Sequence, residues 1–267
     1  MEIGLELELG GRVAIVTGGS MGIGKAIAIE FAREGVDLAL AARTAGPLEA
    51  TAKEIAASTG RRVIGVPTDT TSTADVQNLV DRTIAEFGRI DILVNSAAMA
   101  GGQVTGDLDE AQEKDLIEDL DTKVVGYFRT IKAVAPHMRA RKWGRIISIG
   151  GLSARSSSIY GLRNAAVVHM SKTLSDELGA DGITLNVIHP GLTVTEAVDA
   201  RLDGQAAERG ISREELESES AAGVAIRRLP RPQDLAWLAT YLASPKSECV
   251  TGEVIAAGGG SQRSVHT

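Results

Sequence analysis

The sequence predicts an α/β fold: a doubly wound, mostly parallel seven-stranded sheet with helices on both faces. Three observations predict it. Seven short apolar runs rich in Val, Ile and Leu recur along the chain, which suits strands buried on both faces. Helical patterns lie between them, and alternation of strand and helix builds a parallel sheet. A glycine-rich turn, TGGSMGIG at residues 17–24, joins the first run to the first helical pattern.

In chain order the runs are VAIVTG (13–18), VDLALAA (36–42), RVIGVP (62–67), IDILVN (90–95), RIISIG (145–150), ITLNVIH (183–189) and EVIAAG (253–258). Between them, KAIAIEFAREG (25–35), VQNLVDRTIAEFG (76–88) and AAVVHMSKTLSDELG (165–179) read as helices. No linker, low-complexity segment or fixed-period repeat interrupts the pattern. The 267 residues are therefore expected to form one domain, with a core that needs no disulfide or metal. Residues 193–230 are the exception, being polar, helix-prone and without a strand. They follow the carboxyl end of the sixth run, where open sheets bind ligands, and are expected to form a lid over a substrate pocket.

Composition excludes several classes of function. A net charge of −7 argues against nucleic acid as the main partner. No stretch reaches the roughly 18 apolar residues of a membrane span. The N-terminal MEIGLELELGG alternates apolar and acidic residues and does not read as a signal peptide, so a cytoplasmic location is expected. The single cysteine, Cys249, allows neither a disulfide framework nor an all-cysteine metal site. His137, His169, His189 and His266 are scattered without metal-ligand spacing, so they are expected to be structural or at the surface, and no metal is expected.

The turn at 17–24 carries the strongest chemical signal. Glycines let the backbone turn sharply and approach a phosphate, while a helix N-terminus offers free N–H groups and a partial positive charge. The spacing Gly18-x3-Gly22-x-Gly24 differs from G-x-G-x-x-G, but its place after the first strand predicts a dinucleotide site.

Together with NSAA after the fourth run and HPGLTVT after the sixth, this octet resembles the short-chain dehydrogenase/reductase family, from Gly11 to about Gly260. The family pattern TGxxxGIG is met by Thr17, Gly18, Gly22, Ile23 and Gly24, with Ser20 and Met21 inside it. The family's adenine-contacting Asp corresponds to Asp69, followed by Thr70. Its NNAG corresponds to Asn95-Ser96-Ala97-Ala98, with two departures, and its PG-x3-T to Pro190, Gly191 and Thr195, enclosing Thr193. The resemblance implies a Rossmann-type fold, a nicotinamide cofactor bound by these residues, a small carbonyl or alcohol substrate, and a homo-oligomer, commonly a tetramer, with a dimer as the other form.

Charge selects the cofactor. An acid at the end of the second strand would accept from a ribose 2′-OH and repel a 2′-phosphate. Here Ala41-Ala42-Arg43-Thr44 holds no acid and one guanidinium suited to a phosphate. Arg43 and Thr44 thus predict NADP(H), with NAD(H) as the second possibility.

Catalysis departs from the family pattern. The family's Tyr-x3-Lys works with an upstream Ser and with an Asn on the preceding helix. Tyr160 matches the Tyr, but Asn164 stands at the Lys position and Gly151 at the Ser position, leaving Ser153 or Ser148 as replacements. In LDTKVVGY, residues 120–127, Lys123 stands at the helix-Asn position, as though Lys and Asn had traded places. Lys123 is therefore expected to approach Tyr160 from the neighbouring helix. A cation matters because an unperturbed phenol, with a pKa of about 10, is only about 0.1 % ionised at neutral pH. Without one, Tyr160 would still donate a proton to a ketone, so carbonyl reduction is the expected direction. Tyr160, Lys123, Asn164 and Ser153 are the catalytic candidates. Arg163 is expected to be a solvated helix charge rather than a substrate contact. Ser156, Ser157 and Ser158 read as a helix-capping run, and Lys172 has no tyrosine four residues before it. Two other readings remain: a catalytically weakened dinucleotide binder, and a non-redox enzyme on the same fold.

Overall fold

The computed structural model describes residues 6–98, 104, 108–155 and 158–261. Seven strands form one sheet: β1 (Val13–Thr17), β2 (Asp37–Ala42), β3 (Val63–Pro67), β4 (Ile92–Asn95), β5 (Gly144–Ile149), β6 (Ile183–Pro190) and β7 (Val254–Ala257). Their order is β3-β2-β1-β4-β5-β6-β7, and every neighbouring pair is parallel. Each apolar run of the sequence became a strand, with ends shifted by no more than two residues.

The connections carry helices α1 (Gly22–Arg33), α2 (Ala45–Thr59), α3 (Thr73–Phe87), α4 (Glu113–Leu120), α5 (Gly126–Arg141), α6 (Gly161–Leu178), α7 (Glu196–Arg209), α8 (Arg213–Ala221) and α9 (Pro232–Ala243). A π-helical stretch, Asp121–Val125, runs α4 into α5, and a 3-10 turn, Leu152–Arg155, follows β5.

Side chains alternate across the sheet, as the pleat requires. Ala14 and Val16 of β1 join Phe31 of α1, Leu48 of α2 and Leu235 of α9 in one core. Ile15 faces the other way, into a core with Leu79 of α3 and with Ile131 and Met138 of α5. Both faces of the five central strands are covered, which is why these strands read as continuous apolar runs rather than alternating ones. Local signals end the helices: Ser72 Oγ accepts from Asp75 N (3.2 Å) at the start of α3, and Gly88 closes it in a left-handed conformation.

The order reverses direction at β1, which has β2 on one side and β4 on the other. At such a switch point a crevice opens at the carboxyl ends of the strands. Thr17 ties its two walls together: its Oγ1 accepts from Ser96 N (3.1 Å) and Ala97 N (3.2 Å).

Residues 193–230 hold α7 and α8 and no strand. Their own small core contains Val194, Leu202, Ala206, Leu216, Val224 and Leu229. Arg213 of α8 reaches across to Asp199 of α7 (2.7 Å) and also pairs with Glu217 on its own helix (2.7 Å). Among the described residues no helix is long and apolar enough to cross a membrane, and no cluster of His, Cys, Asp and Glu could hold a metal. Ser156, Ser157 and His266 lie outside the described residues. Ser158 Oγ accepts from Gly161 N (3.2 Å) at the start of α6, a capping contact.

Candidate active site

The residues singled out in the sequence gather at the carboxyl ends of the strands. After β1, Gly18 adopts φ +66, and a Cβ there would stand 2.8 Å from the Ser96 carbonyl oxygen. A Cβ on Gly24 would overlap the Gly18 carbonyl. The turn is thus a cradle that only glycine leaves open. Ser20 is held through its carbonyl by Thr51 Oγ1 (3.0 Å), while Met21, 59 % exposed, precedes α1 without capping it. Ile23 packs partly buried against the first core. The first N–H of α1, on Gly22, donates to Glu196 Oε2 (3.0 Å), so a phosphate oxygen arriving there meets this carboxylate.

Beyond β2, Arg43 and Thr44 are exposed, and Thr44 opens α2 without a side-chain cap. After β3, Asp69 Oδ1 accepts from the Thr71 backbone N–H (2.9 Å) and hydroxyl (2.8 Å). The backbone bond, more than the hydroxyl and the nearby Arg43 and Arg129, holds its carboxyl below the usual range against the cost of burial. Thr70 is buried, and its carbonyl accepts from Arg129 Nη1 (3.2 Å). After β4, Asn95 is fully buried and its Oδ1 accepts from Thr130 Oγ1 (2.7 Å). After β6, Pro190 and Gly191 lead into Thr193, whose hydroxyl donates to the Gly191 carbonyl (3.2 Å), and Thr195, whose side chain caps α7.

These residues fit a phosphorylated dinucleotide. Backbone N–H groups at a helix start and a Cβ-free turn suit a pyrophosphate. The exposed Arg43 guanidinium at the end of β2, where the sequence holds no acid, suits a 2′-phosphate.

The catalytic candidates are arranged differently from the exchange expected. Tyr160 stands just before α6, and its hydroxyl accepts from Arg163 Nη2 (2.8 Å). Arg163 also lies over the Tyr160 ring, with Cζ 4.5 Å from the centroid. Its Nη1 is 2.5 Å from Asp119 Oδ1 near the end of α4, and both side chains of this ion pair are 3 % exposed. The expectation of a solvated Arg163 is therefore corrected. An i,i+3 spacing places it over Tyr160, and the Asp119 charge offsets the cost of burying it.

Lys123 is neither the solvent-reaching cation of an ordinary helix nor the partner of the phenol. It is 3 % exposed, on the π-helical stretch, and its Nζ donates to the Gly150 carbonyl (2.9 Å). Burial, aided by the Arg163 charge and opposed by Asp119, pushes its pKa down to about 7. One turn on, the Tyr127 hydroxyl donates to the Ile149 carbonyl (3.1 Å), and burial pushes its pKa up.

Asn164 is fully buried, and its Nδ2 donates to Ser153 Oγ (2.8 Å). Of the two serines, Ser153 therefore joins the cluster through Asn164. Ser148 Oγ, on β5, is buried without a hydrogen-bond partner among the described residues. Tyr160 and Asn164, four residues apart, have different neighbours: Tyr160 meets Arg163, and Asn164 meets the loop after β5. His189 is structural, its Nδ1 accepting from Gly151 N (2.9 Å), while Lys172 is exposed and pairs with Asp176. Sequence reasoning missed Asp119. Its only signal was an acid four residues before Lys123, which does not reveal a partner 44 residues away.

A protein-family model described as enoyl-(acyl carrier protein) reductase matches residues 18–262. The chain is 35% identical over 252 residues to the short-chain reductase protein NovJ of Streptomyces niveus, covering 93% of each. L-sorbose reductase from Gluconobacter frateurii, solved with NADPH and L-sorbose, matches with a TM-score of 0.92 at 29% identity, over 98% of this chain and 100% of that one. A 7α-hydroxysteroid dehydrogenase complexed with NADH and 7-oxo glycochenodeoxycholic acid matches with a TM-score of 0.85 at 29% identity, over 98% of each.

Proposed function

The chain belongs to the short-chain dehydrogenase/reductase family, and we propose that it is an NADP(H)-dependent oxidoreductase interconverting a carbonyl compound and an alcohol by hydride transfer. The observation that carries this reading is the glycine cradle at the β1–β4 switch point with Arg43 beyond β2. NADPH in the sorbose reductase supports the phosphorylated cofactor, and NADH in the hydroxysteroid dehydrogenase keeps NAD(H) as a second one.

When bound, the dihydronicotinamide supplies the hydride. The chain positions it and handles the proton. Thr17, Gly18, Ser20, Met21, Gly22, Ile23 and Gly24 form the phosphate end, and Arg43 with Thr44 the 2′-phosphate end. Asp69, Thr70, Asn95, Ser96 and Ala97 wall the adenosine side, and Pro190, Gly191, Thr193 and Thr195 bracket the nicotinamide. Tyr160 delivers the proton to the substrate oxygen. Ser153, oriented by Asn164, offers the hydroxyl absent from Gly151. Lys123 holds the Gly150 carbonyl and with it the loop that presents Ser153.

The whole chain forms one domain, in which α7 and α8 act as the substrate lid. Exposed Val125, Phe128 and Leu162, with Trp237 on α9, support a homo-oligomer. A cytoplasmic location completes the reading.

Loss of NADPH absorbance across a panel of ketones and aldehydes tests it. Substrate-dependent oxidation of NADPH is expected. A second reading has one observation behind it, the Gly151 and Asn164 replacements: a dinucleotide-binding protein with weakened turnover. It is favoured if NADPH binds and no carbonyl consumes it.

A further inference from the structure

We propose that Asp119 and Arg163 form a positioning pair that takes the place of a lysine at position 164, holding a permanent cation on the Tyr160 hydroxyl. This rests on the reading of Tyr160 as the proton donor.

Geometry carries the inference. Arg163 is buried at 2 % exposure, yet both ends of its guanidinium are used. Nη1 meets Asp119 Oδ1 at 2.5 Å and Nη2 meets the Tyr160 hydroxyl at 2.8 Å. Asp119 belongs to α4 and Arg163 to the first turn of α6, so the pair ties together two elements whose meeting point is the phenol. As a stabilising device alone the pair is a poor choice, since apolar side chains of similar volume serve a core as well or better. As a device for one hydroxyl it is specific.

A guanidinium has five donors and no acceptor. Tyr160 can only accept from it, which leaves the single phenolic proton free for a substrate oxygen. In the reductive direction the Tyr160 O–H bond breaks and a substrate O–H bond forms, while the carbonyl carbon takes the hydride of the dihydronicotinamide. The charge left on the phenolate falls on the oxygen that Arg163 already contacts. Water returns the proton, because Arg163 does not deprotonate at working pH.

Among the described residues, the charged and titratable groups around this oxygen come from three elements: Arg163 on α6, Asp119 on α4 and Lys123 on the π-helical stretch. Tyr127 on α5 is a neutral neighbour. Lys123 spends its donor on Gly150, so the direct contact belongs to Arg163.

The test uses the whole chain and needs no substrate. The ultraviolet difference absorbance of tyrosinate between the protein and its Tyr160→Phe variant reports phenolate at this position. The double variant Asp119→Asn with Arg163→Gln replaces both charges by amides without leaving either buried alone. On the rising part of an alkaline titration it should show phenolate lowered about tenfold or more at fixed pH, the scale of a hydrogen bond to a charged group. Arg163→Lys, which keeps the charge, should restore part of it, and circular dichroism should report an intact fold in both. Unchanged phenolate in the double variant overturns the proposal, as does loss of the signal in Lys123→Met alone. If the double variant does not fold, Arg163→Lys decides: phenolate kept in part or in full supports the pair, and complete loss overturns it. Should the absorbance behave as expected while no carbonyl is reduced, the pair stands and the reading of Tyr160 as proton donor fails.

Discussion

Asn164 Nδ2 lies 2.8 Å from the point where a Cβ on Gly151 would stand. Two of the three departures from the family's catalytic pattern, Gly151 and Asn164, are therefore one arrangement. Asn164 is fully buried and bonded to Ser153, so it cannot swing away from a new side chain without breaking that bond.

Restoring the family serine by Gly151→Ser should therefore destabilise the fold, by about 1–3 kcal/mol for an overpacked site. Truncating the neighbour relieves the clash, so Gly151→Ser with Asn164→Ala should cost less than the two single changes added together. Urea denaturation of the four proteins measures this. Strict additivity would show that the loop after β5 relaxes independently of Asn164.

Arg43 is the cation available at the end of β2 for a 2′-phosphate. Arg43→Ala should weaken NADPH by about 1.5–3 kcal/mol, the scale of a hydrogen bond to a charged group, and NADH much less. Fluorescence titration with both cofactors tests it. Equal losses for the two would move the 2′-phosphate contact elsewhere.

Lys123 makes stability depend on pH. Its folded pKa is depressed to about 7 from 10.5, so between these values the unfolded chain binds more protons than the folded one. Stability therefore rises with pH across this window, by up to about 1.4 kcal/mol per pH unit, and the burial penalty is present in full below pH 7. Tyr127 works in the opposite sense at the alkaline end, since burial raises its pKa. Lys123→Met should flatten the rise between pH 7 and 10.5 in chemical denaturation curves. A slope that survives in the variant would assign the linkage to another group.

Tyr160→Phe removes one oxygen and keeps the ring beneath Arg163. General acid catalysis contributes about 10²–10⁴-fold, so carbonyl reduction should slow by that order. NADPH affinity should barely change, because the proposed phosphate site is the glycine turn. Steady-state kinetics beside a binding titration separate the two effects. Parental turnover in the variant would pass proton delivery to Ser153 or to water.

Much of this was legible along the chain. β1, β2, β4, β5 and β6 are buried along nearly their whole length and so read as apolar runs, and the half-buried edge strands β3 and β7 carry the same short apolar pattern. The glycine turn was legible because a backbone with no room for a Cβ admits one residue type, and Gly18 and Gly24 are such positions. The proposed cofactor residues follow the strand ends, which the fold class alone brings to one edge.

The cation at Tyr160 was decided only by the tertiary structure. From the sequence, Arg163 was a surface charge and Lys123 the partner of the phenol, because burial of a charge depends on what faces it. Asp119 faces Arg163 from a different helix, and its carboxylate makes the buried guanidinium tolerable. Lys123 lies among the same charges, but the Gly150 carbonyl is its acceptor. The strands and the turn follow from short-range rules of apolar pattern and backbone sterics. The charge on the phenol depends on residues 44 positions apart meeting in space, which no local rule specifies.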